Sequence, residues 1–359
     1  MLRRLAVVLA LVAVVHALPA ARPANQASTP FARQIAALSE PAGYFDTDNL
    51  ISNESSYLQV VPELRRAGIS GGAYLGVGPD QNFTYIAEVR PAIAFIVDIR
   101  RDNLLLHLLF KALFQLSRTR VEYIAMLFGR PVPADSAAWG SPSIDRLVDY
   151  VDRIQPAGVD ALRARIDDAI AAFGVPLTPE ERRTIDRFHR RFIDSGLSLR
   201  FQSTGRPPQS YYPTYRDLLL DRDSSGRQSN VLASDEAFQF VRSLEARDLV
   251  IPVVGDLGGP SALAAIGHLL AERHESLSAF YTSNVEFYLF RDGTFPRFVA
   301  NLGRIPRLER AVIIRSIFNR FTFPARRGDD SVSRLQRVDE LLAAAARGEI
   351  RGYLDLVGR

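Results

Sequence analysis

The chain has 359 residues, of which 47% are hydrophobic and 23% charged, with 44 Lys and Arg against 40 Asp and Glu. This composition is typical of a globular protein, and a chain of this length needs no disulfide or structural metal to fold. It contains no cysteine, which excludes disulfides, thiolate catalysis and zinc–thiolate sites. The basic residues are spread along the chain, and Lys111 is the only lysine. Nucleic-acid binding requires a basic patch or stripe, so we expect no nucleic-acid partner.

The first 21 residues have the layout of a secretory signal peptide. Arg3 and Arg4 precede an unbroken apolar run at 5–15, and small residues give two candidate cleavage sites, ending at Ala17 and Ala21. The run is short for a transmembrane helix. We therefore expect an exported protein, periplasmic or secreted, with no stable membrane span after signal removal. An uncleaved N-terminal anchor is the alternative.

The rest of the chain alternates between strand-like and helical patterns. We predict a linker and N-terminal segment at 22–43, the first half of a Rossmann-like core at 44–116, a helical insertion at 117–200, the second half of the core at 201–330 and a C-terminal helix at 331–359. Strands that alternate with helices indicate an α/β fold, with a mostly parallel sheet flanked by helices. The insertion is predicted to be all-helical because apolar residues recur at helical spacing throughout it.

One βαβ unit carries the most informative motif. A short apolar run ends in Gly76-Val77-Gly78, and a continuous apolar run at 92–99 reads as a strand buried on both faces of a parallel sheet. Asp98 lies 22 residues after Gly76, near the end of that second strand. In open α/β sheets ligands bind at the carboxyl ends of the strands, where glycines let the backbone approach a cofactor and an acid at this spacing accepts hydrogen bonds from ribose hydroxyls.

This nucleotide-binding pattern is incomplete. Gln81 and Asn82 occupy the region in which a third glycine would fall. The alternative is a tight strand-to-helix turn in which Asp98 caps the next helix, over Arg100 and Arg101. Both interpretations stay open at the level of sequence.

Four segments together resemble an uncharacterised bacterial family with a class I methyltransferase-like core. They are 44–54 (YFDTDNLISNE), 75–85 (LGVGPDQNFTY), 94–101 (AFIVDIRR) and 253–260 (VVGDLGGP). The resemblance extends from about residue 45 to 318 and implies S-adenosylmethionine or a related nucleotide as the cofactor, with no metal. It implies that Gly76 and Gly78 form the cofactor loop, continued by Asp80, Gln81 and Asn82, with Asp98 as the ribose acid.

The same resemblance points to an acceptor site at the later strand ends. Asp256 and the segment from Tyr281 to Asn284 would line this pocket, and Asp256, Tyr281, Asn284 and Glu286 would orient the acceptor of an S-adenosylmethionine-dependent methyltransferase. Asn284 and Glu286 could equally cap the helix that follows. The small-molecule acceptor is not identified by the sequence.

A non-catalytic exported binding protein on the same fold is the alternative function. S-adenosylmethionine is made in the cytoplasm, where an exported protein would not normally meet it. Large side chains that fill the space around Gly76 to Gly78 would favour the binding protein. An open cleft with Asp98 pointing into it would favour the enzyme.

Three further patterns allow weaker hypotheses. The segment 68–72 (GISGG) matches a serine-hydrolase motif, but a helix is predicted before it and a strand after it, the reverse of the required context. An acidic and amide cluster could bind a cation or a polar substrate, or could form turns and caps; its members are Asp46, Asp48, Asn49, Asn53 and Glu54. Three tyrosines could stack on a planar ligand or pack a loop onto the core; they are Tyr211, Tyr212 and Tyr215.

Overall fold

The computed structural model describes residues 28–207, 209–318 and 329–358, so the predicted signal peptide at 1–21 lies outside the described residues. The strands in the described part are β1 Ala73–Gly76, β2 Ile93–Asp98, β3 Val250–Val254, β4 Leu277–Ser283, β5 Arg307–Phe318 and β6 Ser331–Arg337. They form one sheet in the order β3-β2-β1-β4-β5-β6. β1 to β5 pair in parallel, and β6 pairs with β5 in the antiparallel direction. The predicted α/β class with a mostly parallel sheet is thereby confirmed.

In the described residues, helices lie before β1, between successive parallel strands and after β6. They are α1 Pro30–Leu38, α2 Val61–Arg66, α3 Gln81–Val89, α4 Arg101–Leu116, α5 Arg120–Leu127, α6 Ile144–Arg153, α7 Val159–Ala172, α8 Pro179–Ser195, α9 Tyr215–Leu220, α10 Asp235–Ala246, α11 Ala262–Glu272, α12 Val285–Arg291, α13 Phe295–Arg304, α14 Val338–Ala346 and α15 Tyr353–Val357. The N-terminus of α8 is an example of a helix boundary that is determined by the local sequence. The Thr178 hydroxyl accepts from the Glu181 N–H, and the Glu181 carboxylate accepts from the Thr178 N–H, which is a complete capping box.

The core lies on both faces of the central strands. Every residue of β1 and β3 is buried, and so is every residue of β2 except Asp98 at its end. These runs lack polar alternation because a parallel sheet covered by helices has no solvent face. α4 is buried from Asn103 to Phe114, which explains why its sequence is apolar nearly all round.

The sequence analysis missed β6 and several helices. Residues 331–337 were included in a C-terminal helix at 331–359 but form a strand, and only α14 and α15 follow it. The buried positions of its first half are Ser331 and Ser333, so the strand lacks the apolar alternation that identifies a half-buried strand. α1 lies inside the segment 22–43 that was predicted as a linker and N-terminal segment, and α10 and α13 were also missed.

A segment before the sheet, residues 39–56, runs across the carboxyl ends of the parallel strands; we call it the edge segment. Its contacts follow the strand order: Glu40 N–H donates to Val254 O of β3 (2.8 Å), Gly43 N–H donates to Ile99 O just after β2 (2.8 Å), and the Tyr281 hydroxyl of β4 donates to Glu54 (2.7 Å). The edge where an α/β sheet binds its ligand is therefore covered by the chain's own N-terminal part.

Within the ranges that the structure describes, no helix combines the length and the apolar character that crossing a membrane requires.

Candidate functional site

The glycine loop after β1 is braced from the inside by Asn82. The Asn82 side-chain amide donates to Val77 O (2.9 Å) and Pro79 O (2.7 Å), and its oxygen accepts from the Tyr74 hydroxyl (2.8 Å). A Cβ at Gly76 would overlap Asn82 Oδ1 and lie 2.7 Å from the Tyr74 hydroxyl. The packing of Asn82 and Tyr74 against its Cα is therefore sufficient by itself to require glycine at position 76.

Gly76→Ala is expected to destabilise the protein by about 1–3 kcal/mol, because overpacking of a close-packed interior displaces its neighbours. The midpoint and slope of urea unfolding measure the change. Gly352→Ala is the control, because a Cβ at Gly352 meets no atom within 4 Å. Equal stability of the two variants would contradict the packing role of Gly76.

Gly78 has the backbone conformation that a loop glycine permits. Its φ is +80°, in the left-handed region, and a Cβ there would meet Gln81 Nε2 at 3.4 Å and Asn49 Nδ2 at 3.5 Å. The carbonyl of Gly78 lies 2.9 Å from His107 Nε2 of α4. The loop is thus contacted by α3, α4 and the edge segment.

Asp98 lies at the end of β2, as predicted, and its carboxylate is held by Arg100. Asp98 Oδ1 accepts from the Arg100 N–H (2.9 Å) and from Arg100 Nε (3.1 Å), and Oδ2 accepts from Arg100 Nη2 (2.9 Å). Arg100 also donates to Thr47 O of the edge segment (3.1 Å). The carboxylate therefore bonds the N–H of Arg100, the N-cap residue of α4, and the structure shows no side-chain capping hydrogen bond at the start of that helix.

Three buried side chains beside the loop carry hydrogen-bonding atoms without a partner. They are Gln81 (Oε1), Asn103 (both amide atoms) and His107 (Nδ1), and none of these residues is more than 7% exposed. Asn103 and His107 are one turn apart on α4 and so lie on one face of that helix, and His107 contacts the Gly78 carbonyl. Burial lowers the pKa of His107 to about 4, so its ring is neutral near pH 7. Buried polar atoms in proteins are nearly always paired, so these atoms identify unused capacity for a polar ligand or water.

Asp80, which ends the loop, pairs with a tyrosine from a distant helix. The Tyr215 hydroxyl of α9 donates to Asp80 Oδ2 at 2.5 Å. Desolvation of the carboxyl raises the pKa of Asp80 to about 6. Tyr215 is therefore separate from Tyr211 and Tyr212, with which the sequence analysis had grouped it.

Glu54 of the edge segment is the centre of a second polar cluster at the ends of β4 and β5. Its carboxylate accepts from the hydroxyls of Tyr281 (2.7 Å), Ser283 and Ser316. Gln81 Nε2 donates to the Tyr281 hydroxyl (3.1 Å) and so links this cluster to the glycine loop. Ser283 has a φ of +53°, which is uncommon for a residue other than glycine. Burial raises the pKa of Glu54 above its ordinary value.

The other residues predicted to orient an acceptor occupy different environments. Asp256 accepts from the Gly258 N–H (2.8 Å) in the turn after β3. Glu286 is buried on α12 and forms a two-point ion pair with Arg315 of β5, at 2.7 and 3.0 Å. Asn284 is half-buried and precedes α12 without capping it through its side chain. Of the four predicted residues, two contact the Glu54 cluster: Tyr281 donates to Glu54, and Asn284 Oδ1 accepts from the Ser283 hydroxyl (3.4 Å).

The acidic and amide cluster of the sequence does not form one site. Asp46 lies 3.5 Å from Arg206, Asp48 accepts from the Gln202 N–H (3.2 Å), and Glu54 joins β4 and β5 instead. In the described ranges no group of three or more His, Asp or Glu side chains is arranged to hold a metal ion. Tyr211 and Tyr212 line a surface cavity of about 160 Å³ with Phe201 and Arg206.

Sequence reasoning missed Asn103, His107 and Ser316 as members of the site. Asn103 and His107 sit in a helix whose apolar character marked it as core, and polar residues spaced by one turn in such a helix were the available signal. Ser316 gave no signal, because it is 262 residues from Glu54 in the chain.

A family model described as Domain of unknown function (DUF7790) matches residues 49–133 and 201–347, more than half of the chain. Glu54, the glycine loop, α4 and β1 to β6 all lie in the matched segments, whereas α6, α7 and α8 lie between them. No curated protein sequence matches the chain significantly.

Proposed function

Because this chain belongs to the DUF7790 family, a domain family of unknown function, we propose its function from the site itself: it is a methyltransferase-like protein that binds S-adenosylmethionine or a related nucleotide. The observation that carries the proposal is the group of buried, unpartnered polar atoms on Gln81, Asn103 and His107 beside the glycine loop. An adenosine-bearing ligand brings hydroxyls and ring nitrogens that can satisfy such atoms. When bound, S-adenosylmethionine supplies a methyl group; the acceptor is not assigned.

The position of these atoms in the sheet supports the proposal. The order β3-β2-β1-β4 places the reversal of strand order between β1 and β4, and ligands of open α/β sheets bind at such a reversal. Fold alone does not define the reaction, so the proposal depends mainly on the unpartnered polar atoms of Gln81, Asn103 and His107.

Asp98 fits a ribose if Arg100 releases it. Both carboxylate oxygens now accept from Arg100, and a ligand that takes its place must offer equivalent donors, as two adjacent ribose hydroxyls do. Arg100 would keep its contact with Thr47 O in the edge segment. Binding is therefore expected to move the Arg100 side chain.

A non-catalytic binding protein on the same fold is the second candidate. Two observations favour it: Asn82 and Tyr74 fill the space at Gly76, and Arg100 saturates Asp98. In this candidate the sheet is kept and another ligand uses the covered edge. The two candidates differ in whether nucleotide binding occurs at all.

Calorimetric titration with S-adenosylmethionine and S-adenosylhomocysteine tests the proposal. Asp98→Asn is expected to weaken binding by about tenfold or more, since hydrogen bonds to a charged group contribute about 1.5–3 kcal/mol. Arg100→Met is expected to tighten binding, because the ligand no longer competes for Asp98. Asp102→Asn is the matched control, since Asp102 is the exposed neighbour of Asn103 on α4.

Opposite effects of the Asp98 and Arg100 variants, with the Asp102 variant equal to the wild type, would establish the site. Failure of the wild type and of Arg100→Met to bind either ligand would overturn the nucleotide proposal and leave the non-catalytic candidate. Unfolding curves of each variant separate lost binding from lost structure.

We also propose that α6 to α8 are an insertion into the family's domain, because the two matched segments end before and resume after them. Export of the protein is a further proposal, which rests on residues 1–21 alone. Cell fractionation of the full chain against a chain that begins at residue 22 tests it: equal distribution of the two would exclude a signal function.

A further inference from the structure

A continuous chain of serine hydroxyls leads away from Glu54 through the interior. Ser316 of β5 donates to Glu54, Ser316 and Ser333 of β6 are 3.3 Å apart, Ser333 and Ser56 are 3.0 Å apart, and Ser56 and Ser331 are 2.6 Å apart. Ser316 and Ser333 are direct partners in the antiparallel β5–β6 ladder. We call Ser316, Ser333, Ser56 and Ser331 the serine chain.

Serine is an unfavourable choice at the four buried positions of the serine chain unless its hydroxyl is needed there. All four members are buried, with exposures of 6% or less, and small apolar side chains at these positions would avoid the cost of burying hydroxyls. A hydroxyl both donates and accepts, so the chain can pass hydrogen bonds in either direction. Its far end is the fully buried Ser331, which follows the half-buried Asp330 in the chain, and the Asp330 N–H donates to Ser55 Oγ (3.2 Å).

Glu54 also differs from the other buried glutamates. Glu122, Glu245 and Glu286 form ion pairs with Arg118, Lys111 and Arg315 respectively. Among the described residues no arginine, lysine or histidine forms an ion pair with Glu54, and its three partners are the neutral hydroxyls of Tyr281, Ser283 and Ser316.

The titratable groups that face Glu54 are also neutral. They are Tyr74 of β1, Tyr85 of α3 and Tyr281 of β4, and the pKa of each is raised by burial and by the Glu54 charge. Gln81 supplies a free carbonyl oxygen on the same side, next to Tyr281. A buried carboxylate without a counter-charge favours uptake of a proton.

We propose that Glu54 accepts a proton from a ligand at the end of β4, and that the serine chain carries this proton outward. The O–H or N–H bond of the ligand breaks, its electron pair stays on the oxygen or nitrogen, and the proton binds the Glu54 carboxylate. Glu54 then gives a proton to Ser316 as each hydroxyl along the chain passes its own proton on and reorients. Ser331 gives one proton to a water molecule beside the half-buried Asp330, and the Glu54 carboxylate is restored.

The chemistry of Glu54 then defines the acceptor class: a hydroxyl compound or a protonated amine, which must lose a proton to act as a nucleophile. The acceptor class rests on the proposed function. The proton path does not, because it uses only residues of the chain.

Carboxyl NMR of the full chain, labelled with ¹³C at the glutamate side-chain carboxyls, tests the path. Glu54→Gln identifies the Glu54 resonance by its loss. In the wild type this resonance is expected to move continuously with pH as one averaged signal, because protons exchange rapidly through the chain. Ser333→Ala breaks the chain but keeps all three hydroxyls that donate to Glu54, so two separate signals, for the acid and its anion, are expected.

Ser56→Ala, which breaks the next link, must also give two separate signals, and it serves if Ser333→Ala does not fold. Ser117→Ala is the matched control, since Ser117 is fully buried and its hydroxyl bonds only to Phe114 O (3.3 Å); it must behave as the wild type. One averaged signal in Ser333→Ala, or a Glu54 resonance that does not titrate while the protein is folded, would overturn the proposal. No nucleotide is present, so the result is independent of the calorimetric titration.

Discussion

Lys111→Met is expected to destabilise the protein by about 3 kcal/mol, because it leaves a buried carboxylate without its cation. Lys111 lies in α4 with 4% of its side chain exposed, and its Nζ is 3.5 Å from Glu245 Oε2 and 2.8 Å from Asp248 Oδ1. Nζ also lies 4.5 Å from the centre of the Phe31 ring. The only lysine of the chain thus joins α1, α4 and α10.

The effect of Lys111→Met is expected to depend on pH. Burial raises the pKa of Glu245 to about 7 from an ordinary value of 4.5, although Lys111 lowers it. The folded state therefore binds this proton more tightly than the unfolded state, so the Glu245 contribution to stability falls as pH rises from 4.5 through 7. Removal of Lys111 raises the folded pKa further, so the loss in the variant should be largest above that range and smaller in acid.

Urea unfolding of the wild type and variant, below and above the pKa of Glu245, measures this dependence. The double variant Lys111→Met/Glu245→Leu is the control, because it removes the unpaired charge and should recover most of the stability. A single variant that loses less than about 1 kcal/mol, the range of an exposed pair, would mean that Lys111 is not part of a buried ion pair.

The parallel part of the sheet could be predicted from sequence because its strands have a local signal. The run at 92–99 is apolar except at Asp98 and rich in β-branched residues, and the structure places β2 at Ile93–Asp98. β3 (Val250–Val254) and β4 (Leu277–Ser283) likewise fall on short apolar runs of the sequence, at 249–254 and 277–281. β6 could not be predicted, because its buried side chains are serines that are paired with other hydroxyls.

The candidate site could be predicted only in part, because its chemistry depends on contacts between distant residues. Asp98 was located by its spacing from Gly76, but its saturation by Arg100 depends on rotamers. Glu54 was noticed as one member of an acidic segment, whereas its partners lie on β4 and β5, more than 220 residues away. A local sequence pattern can identify a turn that contains a carboxylate. The partners of that carboxylate depend on which strands lie next to each other in the sheet, and the local pattern does not contain this information.

Arg315→Met is expected to destabilise the protein by about 3–5 kcal/mol, because the Glu286 charge would remain buried without its partner. Both of these side chains are 5% exposed or less, and Arg315 also donates to Gln336 Oε1 (2.7 Å) on β6. The pair therefore ties α12 to the two strands that carry Ser316 and Ser333. Chemical unfolding of the single variant measures the loss.

The double variant Arg315→Met/Glu286→Leu separates a structural role of Glu286 from the predicted role in orienting an acceptor. If the ion pair is structural, the double variant recovers most of the lost stability, and the Glu54 carboxyl titrates as in the wild type, since Glu54 keeps its three hydroxyl partners. A double variant that is as unstable as Arg315→Met would contradict the buried-charge argument. A stable double variant that binds S-adenosylhomocysteine as the wild type does would show that nucleotide binding does not need Glu286.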